Sequence, residues 1–234
     1  MPSPTTPDAS QQERLSRARA ALRQVETRVG TDRQAWSRPS MPLAAELEEL
    51  LPQGLRRGQV VSVTGSTSLM LALAAEASRE GSWTAAIGMP AVGVVAAARR
   101  GMVLDRLALI PHPGVQAPQA VGACVDGMDL VMLGESLALS EADRRRLASR
   151  AKERGGGILA AGPWPGAHVT IVVERAVWSG LGAGDGRLRE RELTAVVTGR
   201  REGPARRVRL VLDADQGMRR ERAVTRLGVG EEVA

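Results

Sequence analysis

A chain of 234 residues, 43% of them hydrophobic, holds one domain of ordinary size plus extensions, and a net charge of +6 is compatible with a polyanionic partner without demanding one. Phe, Tyr and Asn are absent and Lys152 is the only lysine among 32 basic residues; a G+C-rich genome explains this, so arginine enrichment is weak evidence for nucleic acid. The single cysteine, Cys124, excludes an intrachain disulfide and a thiol-based zinc cluster, and no apolar run reaches the roughly 18–20 residues of a membrane span.

The first ten residues, MPSPTTPDAS, are rich in Pro, Ser and Thr and lack the basic-then-apolar order of a secretory signal, so a disordered start and a cytoplasmic location are expected. Ser10 to Val29 reads as a helix, with Ser10 as N-cap and Glu13 completing a capping box. Leu15, Ala18, Leu22, Val25 and Val29 form one narrow apolar stripe that must bury itself against the core or a partner. Gly30 ends the helix and TDRQAWSRPSMP is a linker.

From Leu43 a short amphipathic helix is expected over 43–51, ending before Pro52. Strands and helices then alternate: strand 59–63, helix 68–79, strand 83–88, helix 91–100, strand 106–110, helix 116–125, strand 129–133. Ser140 caps a further helix, with Asp143 at its third position, running to about Arg154; 157–161 is another strand. This alternation predicts an α/β protein with a mostly parallel sheet covered on both faces. Beyond Pro165 the runs HVTIVVERAVW, ERELTAVVTGR and ARRVRLVLDA predict an antiparallel β extension of the sheet, joined through the glycine-dense segment 180–186. The expected organisation is 1–40 as disordered start, amphipathic helix and linker, 41–215 as core, and 216–234 as a basic, mobile tail.

Three positions decide whether such a sheet hydrolyses a nucleotide. Strand 59–63 runs into Gly65 where a P-loop would place G-x-x-x-x-G-K-[ST], yet only Ser66, Thr67 and Ser68 follow, with neither a second glycine nor a lysine. The lysine meets the β/γ-phosphates and the Ser/Thr after it holds Mg²⁺, so both functions lack a residue. Gly134 stands where the apolar strand MDLVMLGES should end in a metal-holding acid; Glu135 follows it, and Asp129 lies at the wrong end. After strand 83–88 the chain reads Gly88, Met89, Pro90, with no carboxylate base. No catalytic residue, metal site or cofactor is therefore expected. His112 and His168 lack a ligand pattern, and Cys124 reads as core.

The glycine-rich segment from Trp178 to Glu192 reads as a hairpin connection or as a loop contacting a partner or DNA, with Arg187, Arg189 and Arg191 nearby. Residues 200–226 carry nine arginines against four acids, either a solvated face or a phosphate-contacting one. The contact candidates are Leu15, Leu22 and Val25 on the N-terminal stripe, Trp178, Arg187 and Arg189 at the hairpin, and Arg206, Arg207, Arg219 and Arg220 beyond it.

The stretch LPQGLRRGQVVSVTG is close to the segment leading into the P-loop of RecA-like proteins, and EASREGSWTAAIG and MDLVMLGES resemble the helix and strands that follow. A RecA-like core without its lysine, acid and base resembles the ImuA family, more specifically its actinobacterial ImuA-prime branch, and VERAVWSGLGAGDGRLRERELTAVVTGRR is the most family-like part. The resemblance covers about 41–213. It implies a damage-induced, non-catalytic adaptor in mutagenic translesion synthesis, working with an inactive Y-family polymerase homologue of the ImuB type and an error-prone DnaE-type polymerase. In that family the C-terminal part is implicated in binding ImuB. RecA itself, a second copy through the N-terminal helix, and DNA are further candidate partners.

Overall fold

The computed structural model describes residues 39–181, 186–200, 202–213 and 217–226, with backbone alone for 186–187, 213 and 217–226. The expected disordered start, N-terminal helix and linker, with Leu15, Leu22 and Val25, lie outside the described residues.

Val60–Thr64 forms β1, whose residues to Val63 are fully buried, as a strand covered on both faces requires. Thr67–Arg79 forms α1, capped by Ser66, whose Oγ accepts from the Leu69 amide at 3.2 Å. Then come β2 (Thr84–Ile87), α2 (Val94–Arg99), β3 (Leu107–Ile110), α3 (Ala117–Gly127), β4 (Leu130–Leu133), α4 (Glu141–Arg154) and β5 (Gly157–Ala161). The Ser140–Asp143 capping box at the start of α4 is complete. The helix expected over 43–51 contracts to a 3₁₀ turn, Ala45–Leu47, and that expected over 91–100 to six residues.

Five adjacent pairs of strands are parallel, in the order β3-β2-β4-β5-β1-β6, and β7, β8 and β9 continue the same nine-stranded sheet antiparallel. Here β6 is Val169–Leu181, β7 Gly186–Gly199, β8 Arg206–Asp213 and β9 Gly217–Arg226. Two expectations change. The run starting at Val169 first completes the parallel sheet beside β1, and only β7 onward is antiparallel. Residues 217–226, read as a mobile tail, form β9 along β8. Charge density concealed that strand, because an edge strand is held by backbone pairing and tolerates charged residues.

Strand alternation splits the core in two. Val61, Val63, Leu130, Met132 and Leu159 pack with α1, and Leu193, Ala195, Val208 and Leu210 of the antiparallel strands join the same cluster. Val60, Val131, Leu133 and Ile158 face α3 and α4. Among the described residues no helix is long and apolar enough to cross a membrane.

A candidate functional site at the carboxyl edge

The carboxyl ends of β2, β4, β5 and β1 lie in that order along one edge, where an open α/β sheet places its ligands. Only Gly65 and Ser66 separate β1 from α1, so no loop is long enough to wrap a phosphate. Gly65 has φ +88, and a Cβ there would stand 3.0 Å from the Val173 carbonyl oxygen of β6. The turn is thus pressed against a neighbouring strand, and only glycine fits.

At the ends of β2 and β4 the expected acids are absent, and so is the space for them. A Cβ on Gly134 would overlap the Gly88 carbonyl oxygen, and the Gly134 amide donates to the Ile87 carbonyl at 2.8 Å. Gly88 itself sits at φ +67, where a Cβ would meet Leu137 Cδ2 at 2.5 Å. Backbone packed on backbone, sealed by Leu137, occupies the place of a metal-holding carboxylate and its base. Glu135, just past Gly134, is exposed and turned toward Gly162. Among the described residues no group of three His, Cys, Asp or Glu side chains has metal-ligand geometry. The residues at this edge therefore do not fit a magnesium–triphosphate.

Beside this filled corner an open pocket of about 450 Å³ remains, bordered by Ser66, Ser68, Val92, Glu135, Gly162 and Arg191. Arg191 arrives from β7, opposite Trp178 of β6. Its Nη1 donates to Ser68 Oγ at 3.0 Å, and its guanidinium carbon lies 5.4 Å from the Trp178 ring centroid. Ser68 Oγ is in turn 3.2 Å from the cap oxygen of Ser66. A relay of polar groups thus ties the β6–β7 hairpin to the first turn of α1.

The other candidate residues take varied roles. Trp178 is 45% exposed, and Arg189 is exposed. Arg206, expected as a contact residue, is 8% exposed and bonds the Glu49 and Leu50 carbonyls and Glu202. It closes the 43–51 turn from within, and its guanidinium is engaged by the fold. Arg207 pairs with Glu174 at 3.1 Å across β7, where the Glu174 position is set by a register shift between Val173 and Arg175. The side chains of Arg187, Arg219 and Arg220 lie outside the described set; the backbones of the last two pair with Val211 and Leu210. Thr67 opens α1 beside the pocket. Asp129 accepts from Arg57 and from the Trp83 amide, both at 3.0 Å, a structural role at the strand's start. His168 Nδ1 accepts from the Val60 amide at 3.1 Å, and burial pushes the Cys124 thiol up, so neither reads as a nucleophile or base.

The sequence placed Arg191 near the glycine-rich segment but not its reach to Ser68. That reach depends on the β6–β7 register, which pairs Trp178 with Arg191 and which the spacing alone does not determine.

Fold and edge together define a RecA-like α/β protein whose carboxyl edge is packed glycine on glycine at Gly88 and Gly134. Residues 49–166, half of the chain, match the family model described as the MT3502 N-terminal domain, and the chain belongs to that family. It is also 36% identical over 128 residues to the uncharacterized protein Rv3395c of Mycobacterium tuberculosis (strain ATCC 25618 / H37Rv), a match covering 53% of this chain and 63% of that protein.

Proposed function

We propose that this protein is a non-catalytic RecA-like adaptor in damage-induced mutagenic translesion synthesis, an ImuA-prime protein that docks an ImuB-type inactive Y-family polymerase homologue and, through it, an error-prone DnaE-type polymerase. The observation that carries the non-catalytic half is the contact between Gly88 and Gly134, which fills the place of the acid and the base with main chain. The partner half rests on the sequence resemblance over about 41–213.

The reading makes the sheet a platform and leaves partner binding to its surface. DNA binding through the arginines of 200–226 is the competing reading, and the engagement of Arg206 and Arg207 within the fold weakens it. Co-purification of the full chain with an ImuB-type partner, together with ATP turnover measurements, tests the proposal. Stable co-elution without hydrolysis is expected. ATP turnover that disappears in Glu135→Gln, or loss of every association with such a partner, sinks it. Binding to DNA that weakens steeply between low and moderate salt would favour the competing reading instead.

A further inference from the structure

Among the described residues, Arg191 is the charged group at this edge that pairs with no carboxylate. Arg57, Arg79, Arg150, Arg206 and Arg207 each pair with a carboxylate. Arg191 borders the pocket with a serine and an indole as partners, and its Nε is buried without a hydrogen-bond acceptor. A guanidinium beside a pocket, tethered at one end and unneutralised, is a site for an anion.

The kind of anion follows from charge and shape. Glu135 borders the same pocket and opposes a multiply charged phosphate, while the turn before α1 is too short to offer a phosphate cradle. One guanidinium, aided by the roughly half-unit positive charge at the start of α1 and offset by Glu135, suits a single carboxylate. One wall is apolar, formed by Ala91, Val92 and Ala96. Val94 and Val95 next to that wall and Trp178 beside Arg191 are exposed hydrophobics. An aspartate or glutamate flanked by apolar residues matches that lining.

We propose that this pocket is a docking site for an acidic side chain carried on an apolar segment of a partner protein, with Arg191 as the residue that binds the carboxylate. The proposal rests on the non-catalytic reading above and gives the adaptor one defined contact chemistry. Binding the carboxylate exchanges no atoms; it adds charge-assisted hydrogen bonds to a guanidinium already held in place by Ser68 and Trp178.

The test uses the full chain and two blocked tripeptides, acetyl-Val-Glu-Val-amide and acetyl-Val-Gln-Val-amide, followed through the Arg191 Nε–Hε NMR signal and Trp fluorescence. The glutamate peptide is expected to shift the Arg191 signal saturably and the glutamine peptide to leave it unmoved. Arg191→Lys should weaken binding at least about fivefold, because a point charge replaces a planar fork. Ser68→Ala, which keeps the guanidinium, should retain binding with a smaller loss. Equal responses to both peptides, unchanged binding in Arg191→Leu, or tighter saturation by pyrophosphate than by the glutamate peptide would each overturn the docking site. Sustained hydrolysis of magnesium–ATP would overturn the non-catalytic reading as well. Silence towards both peptides without hydrolysis overturns this inference alone.

Discussion

Two corners of one sheet edge stand without the expected acid and lysine, and they are built in different ways. At the ends of β2 and β4, Gly88 and Gly134 have closed together until main chain touches main chain, and Leu137 seals the contact. At the end of β1 the loop has shortened to Gly65 and Ser66, yet a pocket of about 450 Å³ stays open beside it, with a cation on its wall. A side chain lost from a packed edge can be replaced by collapse or by a cavity, and only the cavity leaves something for a ligand. The closed corner should therefore govern stability, and the open one recognition.

The largest expected effect comes from reopening the closed corner. Gly134→Asp must displace the Gly88 carbonyl, a backbone group with nowhere to go, and should cost about 3–5 kcal/mol by urea unfolding. It should gain no ATPase activity. A mild change, under about 1 kcal/mol, would mean that β2 and β4 separate easily and that an acid was lost without collapse. Gly127→Ala, at a helical position where an added Cβ meets nothing within 4 Å, is the control and should be neutral or slightly stabilising.

The next comparison sets two arginines against each other. Arg206→Ala leaves the Glu202 carboxylate buried without its partner and the Glu49, Leu50 and Glu202 carbonyls without this donor, so a loss of about 3–4 kcal/mol is expected. Arg191→Leu removes a guanidinium that pairs with no carboxylate among the described residues and should change stability by less than about 1 kcal/mol. Comparable losses from both substitutions, measured in the same urea titrations, would show that Arg191 serves the fold and would blur the contrast between the corners.

Smaller still is the cap that the open corner shares with α1. Ser66→Ala removes the acceptor for the Leu69 amide, and about 1 kcal/mol of stability should go with it. Its thermal midpoint should fall by a few degrees.

Acid sets the background for all of these. The Arg150 guanidinium holds the Asp126 carboxyl below its ordinary value, and the Ser140 hydroxyl and amide hold Asp143 below its own. A depressed folded value means that these contributions are fully present above the unfolded pKa, about 4. They disappear as pH falls through the lower folded values. Urea midpoints should thus be insensitive to these two groups between about pH 5 and 7 and should decline below about pH 4. Asp126→Asn should flatten part of that acid limb; an unchanged limb would show that the α3–α4 pair is not held through Asp126.

Much of this was legible in the chain. Alternating apolar strands and helices specified the parallel α/β sheet, because a strand buried on both faces must be apolar throughout and its crossover helices must cover it. The Ser140–Asp143 box and the start of α1 near Ser66 were equally local, since a cap is read from three or four neighbouring residues. The glycines at 88 and 134 were visible as missing acids.

Their mutual contact was not legible, because it joins residues 46 positions apart through the packing of two strands and a leucine from a loop. Nor was the fate of the arginines. Sequence counts charges, but the registers of β6, β7 and β8 decide that Arg206 turns inward, that Arg207 meets Glu174, and that Arg191 reaches Ser68. Strand β9 escaped notice for the same reason, since pairing along an edge is a property of the neighbour's free backbone groups more than of the strand's own side chains. The sequence by itself determined which elements form and that no lysine, acid or base stands at the three expected positions, since both depend on residue type and local spacing. Only the tertiary structure decided which vacancy closed and which stayed open, because that depends on how far apart main chains come to rest.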